Sequence, residues 1–427
     1  MPDDIIAEVH GDGAGRNDAQ RRPGERAWPA EGWTRVPFWV YTDPALFDRE
    51  METFFYGPSW CYVGLDCEVP EPGSYKRSFI GQRQVIVVRT QEGGIAVLEN
   101  RCAHRGSRVC WQNKGKVDSF TCPYHQWNFA LDGKLQGIPL KRGALGKGGM
   151  PPDFDMSQHG LKALRVHVEG GSIWATFDPN APSFADYCGP QILGYVRRLF
   201  GGRALRLLGY NRQLIPSNWK MYVENLKDPY HATLLHSFLI TFGLWRADTQ
   251  SESIPTEGGK HGIMISRNVG KKESAATSEI KRFKNKLDLI DKDSITPRRE
   301  FDDGKVVGLS LFPSVVLHQQ ANTLGMRQIV PKGVDSFELC WTYYGYADDD
   351  DEMVRLRLRH TNLYGPSGFV AMEDGEVLVE SQQGATGYGH RAAVLEMGGR
   401  ETEPQDHMVT EVLIRSFYRW YREAMNL

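Results

Sequence analysis

The apolar residues of the chain follow two different periods, and each period predicts its own secondary structure. Near the C-terminus they recur every three or four residues, which predicts a helix with one face on the core: Val409, Val412, Leu413, Phe417, Trp420, Tyr421 and Ala424. After residue 60 the apolar residues form short runs instead. The runs 84–90 and 95–100 flank the pair Gly93-Gly94, and this pattern predicts a β-hairpin.

The changes of pattern divide the chain into segments. Four segments are predicted: a disordered tail at 1–30, the first part of a larger domain at 31–58, an all-β module at 59–178, and the remainder of the larger domain, with helices and strands, at 179–427. Asp43 followed by Pro44 predicts the start of a helix. The charged stretch 281–300 predicts a solvent-exposed excursion.

Composition and charge narrow the possible functions. The chain has 427 residues and a net charge of −2, which gives no reason to expect nucleic acid or an anionic membrane as a partner. It has no run of about 18 apolar residues, so no membrane span is predicted. Seven cysteines and no secretory signal predict a reducing, cytoplasmic location, where clustered cysteines indicate metal binding or catalysis.

A first cluster of candidate metal ligands lies in CAHRG and CPYHQWNFALDG. Its members form a Cys-x-His pair and a Cys-x-x-His pair with 17 residues between them: Cys102, His104, Cys122 and His125. Two cysteines and two histidines also suit a structural zinc. The short first pair, the β-rich surroundings and the match of both motifs favour a Rieske [2Fe–2S] cluster, in which two histidines replace two cysteines on one iron. Cys110, which lies between the pairs, is interpreted as a packing residue.

A second cluster lies in ENLKDPYHATLLH, residues 224–236. We expect one helix here, in which Asp228 falls between His231 and His236 around the axis and Pro229 introduces a kink. Such a kink lets both imidazoles converge on one ion. Two histidines, one carboxylate and open positions describe the facial triad of non-haem Fe(II) oxygenases. The alternative is that both histidines are structural and bind no metal.

The carboxylate of this triad has more than one candidate. Asp228 can be a ligand, or it can orient a histidine from outside the ligand set. The segment GPSGFVAMEDGEV supplies further acidic candidates: Glu373, Asp374 and Glu376. Spacing and helix geometry leave the choice between Asp228 and this downstream group open.

Taken together, CAHRG…CPYHQW, ENLKDPYH…LLH and GPSGFVAMEDGEV resemble the large subunits of Rieske non-haem iron ring-hydroxylating oxygenases, from about residue 28 to the C-terminus. The resemblance implies an α+β fold, in which an all-β Rieske [2Fe–2S] domain is inserted in a helix-grip, START-like catalytic domain with an antiparallel sheet and a C-terminal helix. It implies a mononuclear iron bound by His231, His236 and Asp374. It makes Asp228 a carboxylate that bridges subunits in electron transfer.

Within this family the sequence looks most similar to salicylate 5-hydroxylase, anthranilate 1,2-dioxygenase and terephthalate dioxygenase, and FGLWRAD, LFPSVV, EMGG and DHMVTE add to the first likeness. The resemblance implies O₂-dependent hydroxylation of a monocyclic aromatic carboxylate. The leading candidate reaction is the conversion of salicylate to gentisate. Anthranilate dioxygenation and terephthalate- or benzoate-type dioxygenation are the alternatives. Whether the enzyme is a monooxygenase or a dioxygenase stays open.

Substrate recognition is expected to depend on an arginine, because a buried carboxylate needs a charged partner that can bind it with two hydrogen bonds. Arg327 is the candidate. Four further residues are candidates for polar substrate contacts: Asn225, His318, Gln319 and Asn322. The sequence offers no clear second arginine for a second carboxylate, which favours a mono-acid.

The resemblance also implies partners. Electrons are expected from an NAD(P)H-dependent reductase through a ferredoxin, and the chain has no dinucleotide-binding fingerprint of its own. A head-to-tail trimer is expected, in an α₃β₃ assembly with a small β subunit, and it would bring His125 of one chain to Asp228 of the next. Five basic residues lie near the Rieske motifs: Arg101, Arg105, Arg108, Lys114 and Lys116. They are expected either to attract an acidic ferredoxin or to form an ordinary solvated surface. A pure electron carrier and a zinc-stabilised binding protein are the alternative functions.

Overall fold

The computed structural model of the chain describes residues 26–242, 245, 247–267, 287–292, 296 and 305–427. The tail predicted at 1–30 therefore lies almost wholly outside the described residues. Most of the excursion predicted at 281–300 lies outside them as well, and so do three residues of FGLWRAD.

Local sequence explains how the first elements begin and end. Strand β1 (Arg35–Pro37) and helix α1 (Trp39–Thr42) lead into helix α2 (Pro44–Glu50). The predicted cap is confirmed, because the Asp43 carboxylate accepts hydrogen bonds from two backbone N–H groups, two and three residues later, at 2.8 and 3.2 Å. Pro44 takes the first helical position, where the missing N–H costs no hydrogen bond.

The β-rich pattern after residue 60 produces a module of short antiparallel strands. Its strands are β2 (Cys61–Leu65), β3 (Ser74–Ile80), β4 (Arg83–Arg89), β5 (Ile95–Glu99), β6 (Lys114–Lys116), β7 (Phe120–Thr121), β8 (Asn128–Phe129), β9 (Leu135–Gly137), β10 (Arg165–Glu169) and β11 (Ser172–Thr176). They form sheets with the orders β5–β4–β3–β6, β7–β8–β9 and β10–β11–β2. The predicted hairpin is confirmed as β4 and β5, and Gly93 in its turn has a φ of 83°, which favours glycine.

The rest of the chain builds one large antiparallel sheet covered by helices. Its elements are α3 (Phe184–Phe200), β12 (Leu205–Ile215), α4 (Trp219–Asn225), α5 (Pro229–Ala232), α6 (Ser237–Thr241), β13 (Ser251–Thr256), β14 (His261–Arg267), β15 (Lys305–Leu311), β16 (Val315–Gln320), β17 (Thr323–Gly333), β18 (Ser336–Tyr346), α7 (Asp351–Tyr364), α8 (Phe369–Ala385), β19 (Ala392–Val394) and α9 (Val412–Met425). The sheet order is β12–β18–β17–β16–β15–β14–β13, and β19 pairs with β1.

Helix α9 is the C-terminal helix that the apolar period predicts, with two corrections at its ends. It begins at Val412, so Val409 precedes it, and Ala424 is exposed. Its apolar face packs on residues of the first segment and of the sheet, for example Phe417 on Phe312 with ring centres 5.6 Å apart. The segment before the β module therefore shares a core with the large sheet.

A buried ion pair joins α2 to α4 in the same core. The ammonium of Lys220 lies 2.8 Å from the carboxylate of Glu50, and both side chains are fully buried. Tyr421 of α9 donates its hydroxyl hydrogen to the same carboxylate. Because a buried charge is costly without a partner, this arrangement fixes α4 relative to the first segment and to α9.

Strand β17 connects the large sheet to the β module. The Gln328 side-chain amide donates hydrogen bonds to the backbone carbonyls of Tyr62 and Phe79, at 2.9 Å each. These bonds hold β2 and β3 against the sheet. Within the described parts of the chain, no helix has both the length and the apolar composition that a membrane span requires.

Candidate metal centres and active site

The two Cys/His motifs of the β module form loops with the same backbone hydrogen bonds. In each loop the N–H of the cysteine, Cys102 or Cys122, donates to the carbonyl five residues later at 2.8 Å. The residue four positions after the cysteine donates back to the cysteine carbonyl, at 3.0 Å from Gly106 and 2.9 Å from Gln126, and both of these residues have a positive φ. The sequence therefore builds two similar tight loops.

These loops bring the four predicted ligands together. The thiols of Cys102 and Cys122 are buried, whereas His104 is exposed and His125 is partly exposed. The two imidazole rings lie 4.6 Å apart, centre to centre, and His104 stacks on Trp127 at 4.8 Å. The arrangement places the predicted sulfur ligands inside and the predicted nitrogen ligands at the surface, where electrons can enter or leave.

Geometry separates the cluster from the zinc alternative. The ligands of one tetrahedral zinc, at about 2.0–2.3 Å from the metal, lie less than about 4 Å from one another. In the part of the chain that the structure describes, no three of these Cys and His residues form a group whose ligand atoms lie close enough together for one ion. A centre with two metal atoms fits this spacing, since the two cysteines then bind one iron and the two histidines bind the other.

In the β module, Cys110 is buried and the basic residues near the Cys/His loops are exposed to solvent. Cys110 is buried in the module core, as interpreted from the sequence. The five basic residues near the loops are all exposed: Arg101, Arg105, Arg108, Lys114 and Lys116. Lys116 is paired with Glu71 at 2.6 Å. The positive charge that Lys116 offers to a partner is therefore reduced.

The segment 224–236 does not form the single kinked helix that we expected. Helix α4 ends at Asn225, and Asp228 is extended (φ −111°, ψ 95°) because the following proline disfavours a helical conformation there. Asp228 caps α5 instead, by accepting from the N–H groups of Tyr230 (2.8 Å) and His231 (3.2 Å). His236 stands before α6 with ψ 85°. The histidines converge because the chain turns between α4 and α5 and again between α5 and α6. The predicted positions around a single helix axis therefore do not apply.

The turns bring both histidines to Asp374 of α8. The Nε2 atom of His231 lies 3.4 Å from Asp374 Oδ1, and the Nε2 atom of His236 lies 3.6 Å from it. One ligand atom from each of the three residues lies within 4.8 Å of the other two. This donor set and spacing fit a 2-His-1-carboxylate metal site. Asn225 donates to the same Asp374 oxygen at 3.1 Å.

Each histidine has a second carboxylate at its other ring nitrogen. Asp228 Oδ2 lies 3.4 Å from Nδ1 of His231, and Glu373 Oε2 lies 3.2 Å from Nδ1 of His236. These contacts hold the rings with Nε2 towards the common point, as is typical of metal-binding histidines. Of the acidic candidates, Asp374 is therefore the one near both Nε2 atoms. Glu373 contacts the Nδ1 atom of His236 instead, and Glu376 is exposed.

The electrostatics of this cluster favour a cation. Burial lowers the pKa of His231, but the carboxylates of Asp228 and Asp374 outweigh burial and raise this pKa to about 10. Burial raises the pKa of Asp374, yet its contacts with His231 and His236 outweigh burial and hold it below its usual value. A site that binds a proton so tightly offers the same negative charge to a metal ion.

A cavity of about 120 Å³ opens beside the three residues. Of the predicted substrate contacts, Arg327, Asn225 and His318 line it. Gln319 does not line the cavity in the described structure, because side chains alternate along β16 and those of His318 and Gln320 face it. Asn322 lies in the turn after β16, where its backbone bonds to His360 and Arg357, and it is not part of the lining either.

Comparison with known families identifies both parts of the chain. Residues 59–148 match the Rieske [2Fe-2S] domain, and residues 200–427, more than half of the chain, match the catalytic domain of the ring hydroxylating alpha subunit. The chain is a ring-hydroxylating oxygenase alpha subunit. It therefore binds a Rieske cluster and a mononuclear iron, and both sets of residues described above fit these groups.

Relatives of this alpha subunit match more than nine-tenths of its length. It is 47% identical over 410 residues to the large oxygenase component of salicylate 5-hydroxylase from Ralstonia sp, covering 94% of this chain and 97% of the relative. It is 40% identical to the large subunit of anthranilate 1,2-dioxygenase from Burkholderia cepacia, covering 96% and 97%. It is 39% identical to an alpha subunit of terephthalate 1,2-dioxygenase from Comamonas sp, covering 93% and 97%.

A solved structure confirms the fold class of the alpha subunit. Naphthalene 1,2-dioxygenase from Rhodococcus sp. superimposes with a TM-score of 0.76 at 24% identity, covering 92% of this chain and 94% of that one. At this identity the likeness concerns the fold. The predicted combination of an all-β Rieske domain with an antiparallel catalytic sheet and a C-terminal helix is confirmed.

Sequence reasoning did not assign the buried layer behind the iron site of this oxygenase subunit. Glu224 of α4 accepts a hydrogen bond from the hydroxyl of Tyr418, and burial raises its pKa to about 7. Lys227 is fully buried, which lowers its pKa to about 7. The signal was present in the sequence, because Lys220 and Glu224 are charged residues four apart with only Met221, Tyr222 and Val223 between them.

Glu373 gives a first testable prediction for this oxygenase subunit. In Glu373→Ala, His236 loses the carboxylate at Nδ1 and Ser237 loses an acceptor for its N–H. We expect the affinity for the mononuclear iron to fall about 10- to 100-fold, with the Rieske signal unchanged. Competition with a chelator measures this affinity. The control is Glu380→Ala, an exposed change on the same helix; equal iron loss in both variants would refute the orienting role.

Proposed function

We propose that this chain is the terminal oxygenase component that hydroxylates a monocyclic aromatic carboxylate with O₂, and that its reaction is the 5-hydroxylation of salicylate to gentisate. The relative at 47% identity is named for this reaction, and it matches 94% of the chain. Anthranilate 1,2-dioxygenation is the second candidate, supported by the 40% relative. Terephthalate- or benzoate-type dioxygenation is the third.

The observation that carries this proposal is an arginine without a counter-ion in the cavity. Arg327 is 8% exposed, and among the described residues no carboxylate lies within 4 Å of its guanidinium. It donates from Nη2 to Nδ1 of His318 at 3.1 Å and lies 4.3 Å from the ring centre of Trp341, and its Nε has no hydrogen-bond partner among the described residues. A buried cation in this state favours an anionic ligand.

The neighbours of Arg327 keep it available for that ligand. Burial and the arginine charge hold the pKa of His318 well below its usual value, so the ring is neutral and accepts the Arg327 hydrogen bond. Its Nε2 donates to the side-chain oxygen of Gln320 at 2.9 Å, which fixes the tautomer. His318 therefore supports the guanidinium without neutralising it.

The size and charge of the cavity favour a ring with one carboxylate. A volume of about 120 Å³ is close to the cavities of about 150 Å³ that accept benzene, whereas two fused rings need more room. Arg327 is the one lysine or arginine side chain in the described lining. A second carboxylate would therefore lack a cationic partner, which argues for a mono-acid.

We assign the mononuclear iron to His231, His236 and Asp374. The iron, when bound, activates O₂ beside the substrate ring. The chain contributes the rest: Arg327 holds the carboxylate, and Asn225 fixes one oxygen of Asp374 by its hydrogen bond of 3.1 Å. The ring is thereby held at a fixed distance from the metal ligands, which decides the carbon that reacts.

We assign Asp228 to electron transfer between subunits. Its Oδ2 faces His231, and its side chain is 19% exposed, so a residue of another chain can reach it. His125 is partly exposed at the tip of the Rieske domain. A head-to-tail ring, a trimer in our proposal and α₃β₃ if a small β subunit is present, places His125 of one subunit at Asp228 of the next. A reductase and a ferredoxin that docks near Arg101, Arg105 and Arg108 supply the electrons.

The role of Arg327 is tested with a neutral variant. In Arg327→Gln we expect KM for salicylate to rise about 10- to 100-fold, since a charged hydrogen bond contributes about 1.5–3 kcal/mol. The uncharged salicylamide serves as the control substrate, and its KM should change less than about 3-fold. Equal changes for the acid and the amide would remove Arg327 from the carboxylate site.

A further inference from the structure

One glycine in the floor of the cavity determines its shape. Strands β13 to β16 form the floor, and a row of paired residues crosses them: Ser253 pairs with Met264, Met264 with Gly308, and Gly308 with His318. All four residues line the cavity. Gly308 therefore leaves a gap between two larger side chains, which we call the notch.

Neither the backbone nor the packing requires glycine at this position. The φ of Gly308 lies outside the left-handed region, and a Cβ built there meets only atoms of Met264, at 3.9 and 4.0 Å. These are ordinary contacts, so alanine fits without strain. Glycine in a strand interior weakens the strand and often marks close approach of a ligand. The consequence of glycine at position 308 is therefore the open space that it leaves in the cavity.

The notch and the residues assigned to the iron lie on different walls of the cavity. His231 lies in α5, Asp374 lies in α8 and His236 directly precedes α6, whereas Gly308 lies in the sheet. A ring carbon that reacts must face the helices, so the opposite ring edge faces the sheet. In salicylate the 5-position is para to the 2-hydroxyl, and presenting that carbon to the iron directs the hydroxyl away from it. In anthranilate 1,2-dioxygenation the amino-bearing carbon faces the iron instead.

We propose that Gly308 is a specificity-determining residue, because the notch accommodates the ring substituent that is para to the reacting carbon. This inference rests on the proposed function and extends it to the orientation of the ring. Arg327, on the strand next to His318, holds the carboxylate beside this substituent. A side chain at position 308 fills the notch and excludes the 2-hydroxyl, while the unsubstituted ring of benzoate still fits.

The chain contains a matched control for this substitution. Gly325 pairs with His318 on its other side, is buried in β17, and would place a Cβ 3.5 Å from Tyr343, again an ordinary contact. It is not part of the cavity lining. A glycine-to-alanine change therefore makes the same chemical change in the same row of the sheet, without altering the notch.

The test compares the binding of salicylate and of benzoate to the metal-loaded oxygenase without O₂, by titration calorimetry. In Gly308→Val we expect Kd for salicylate to rise at least about 10-fold and Kd for benzoate to change less than about 3-fold. Gly308→Ala should shift the same ratio in the same direction by less, and Gly325→Ala should leave it unchanged. The Rieske spectrum shows that each variant is folded.

Other outcomes refute the notch. Equal weakening of both acids, no weakening of either, or the same ratio change in Gly325→Ala would show that Gly308 does not select the substituent. If the unaltered enzyme binds neither acid, the proposed function fails and the inference fails with it. If the unaltered enzyme binds both and only the ratio test fails, the proposed function stands.

Discussion

Asp228→Asn is expected to keep both metal centres and to lose about 10- to 100-fold in turnover. The carboxylate has two tasks in the structure. Its Oδ1 caps α5, and its Oδ2 faces Nδ1 of His231 at 3.4 Å. Asparagine caps helices as well as aspartate does, so α5 should persist. The new amide, however, presents a donor to an imidazole N–H and carries no charge, so the link from His231 towards another subunit is lost.

The matched control for this change is Asp43→Asn. Asp43 also precedes a proline and caps a short helix, with the same two distances of 2.8 and 3.2 Å. We measure steady-state turnover, metal content, and the rate at which product forms from a reduced enzyme in one turnover. Asp43→Asn should behave as the unaltered enzyme. Normal turnover in Asp228→Asn, or equal losses in both variants, would contradict the electron-transfer role.

Asp374→Ala is expected to remove the mononuclear iron and to abolish turnover. Two histidines alone leave the site without its buried negative charge, and the hydrogen bond from Asn225 loses its acceptor. Metal analysis should show a fall from three iron atoms per chain to two, because the Rieske cluster keeps its pair. The reduced cluster should keep its EPR signal.

The control for Asp374 is Glu376→Ala, which changes an exposed acid two residues later on α8. It should keep three iron atoms and full activity. This comparison also decides among the acidic residues that the sequence offered. Retention of the third iron in Asp374→Ala, or its loss in Glu376→Ala, would contradict the assigned ligand set.

Local patterns could be predicted from the sequence because local forces determine them. The β4–β5 hairpin follows from a glycine turn between apolar runs, and the cap at Asp43 follows from one side chain and the next proline. The apolar face of α9 also follows from its period. Its first residue, Val412, could not be placed as well, because Val409 continues the apolar pattern without being helical.

The iron site shows where such reasoning stops. The same Asp-Pro pattern that starts α2 also starts α5, so a break before Pro229 could have been read from the sequence. The choice between Asp228 and Asp374 could not, because Asp374 arrives from a distant helix. The resemblance to a family indicated Asp374, and the distances of 3.4 and 3.6 Å to the two Nε2 atoms agree with it.

The cavity depends on strand register, which a single sequence does not reveal. Gln319 and His318 are equally plausible contacts until the face of β16 is known, and alternation then selects His318. Gly308 has no chemical group that could mark it in the sequence. Its role follows from the pairing of β14, β15 and β16 and from the space around it.

Identification of the product formed from salicylate tests the proposed function most directly. The oxygenase is combined with a ferredoxin and an NAD(P)H-dependent reductase under ¹⁸O₂, and the products are identified by mass spectrometry. We predict gentisate with one labelled oxygen, formed from salicylate, one O₂, two electrons and two protons, with water as the other product. Failure of a fully metal-loaded enzyme to form gentisate from salicylate, or formation of gentisate without the label, would contradict the account.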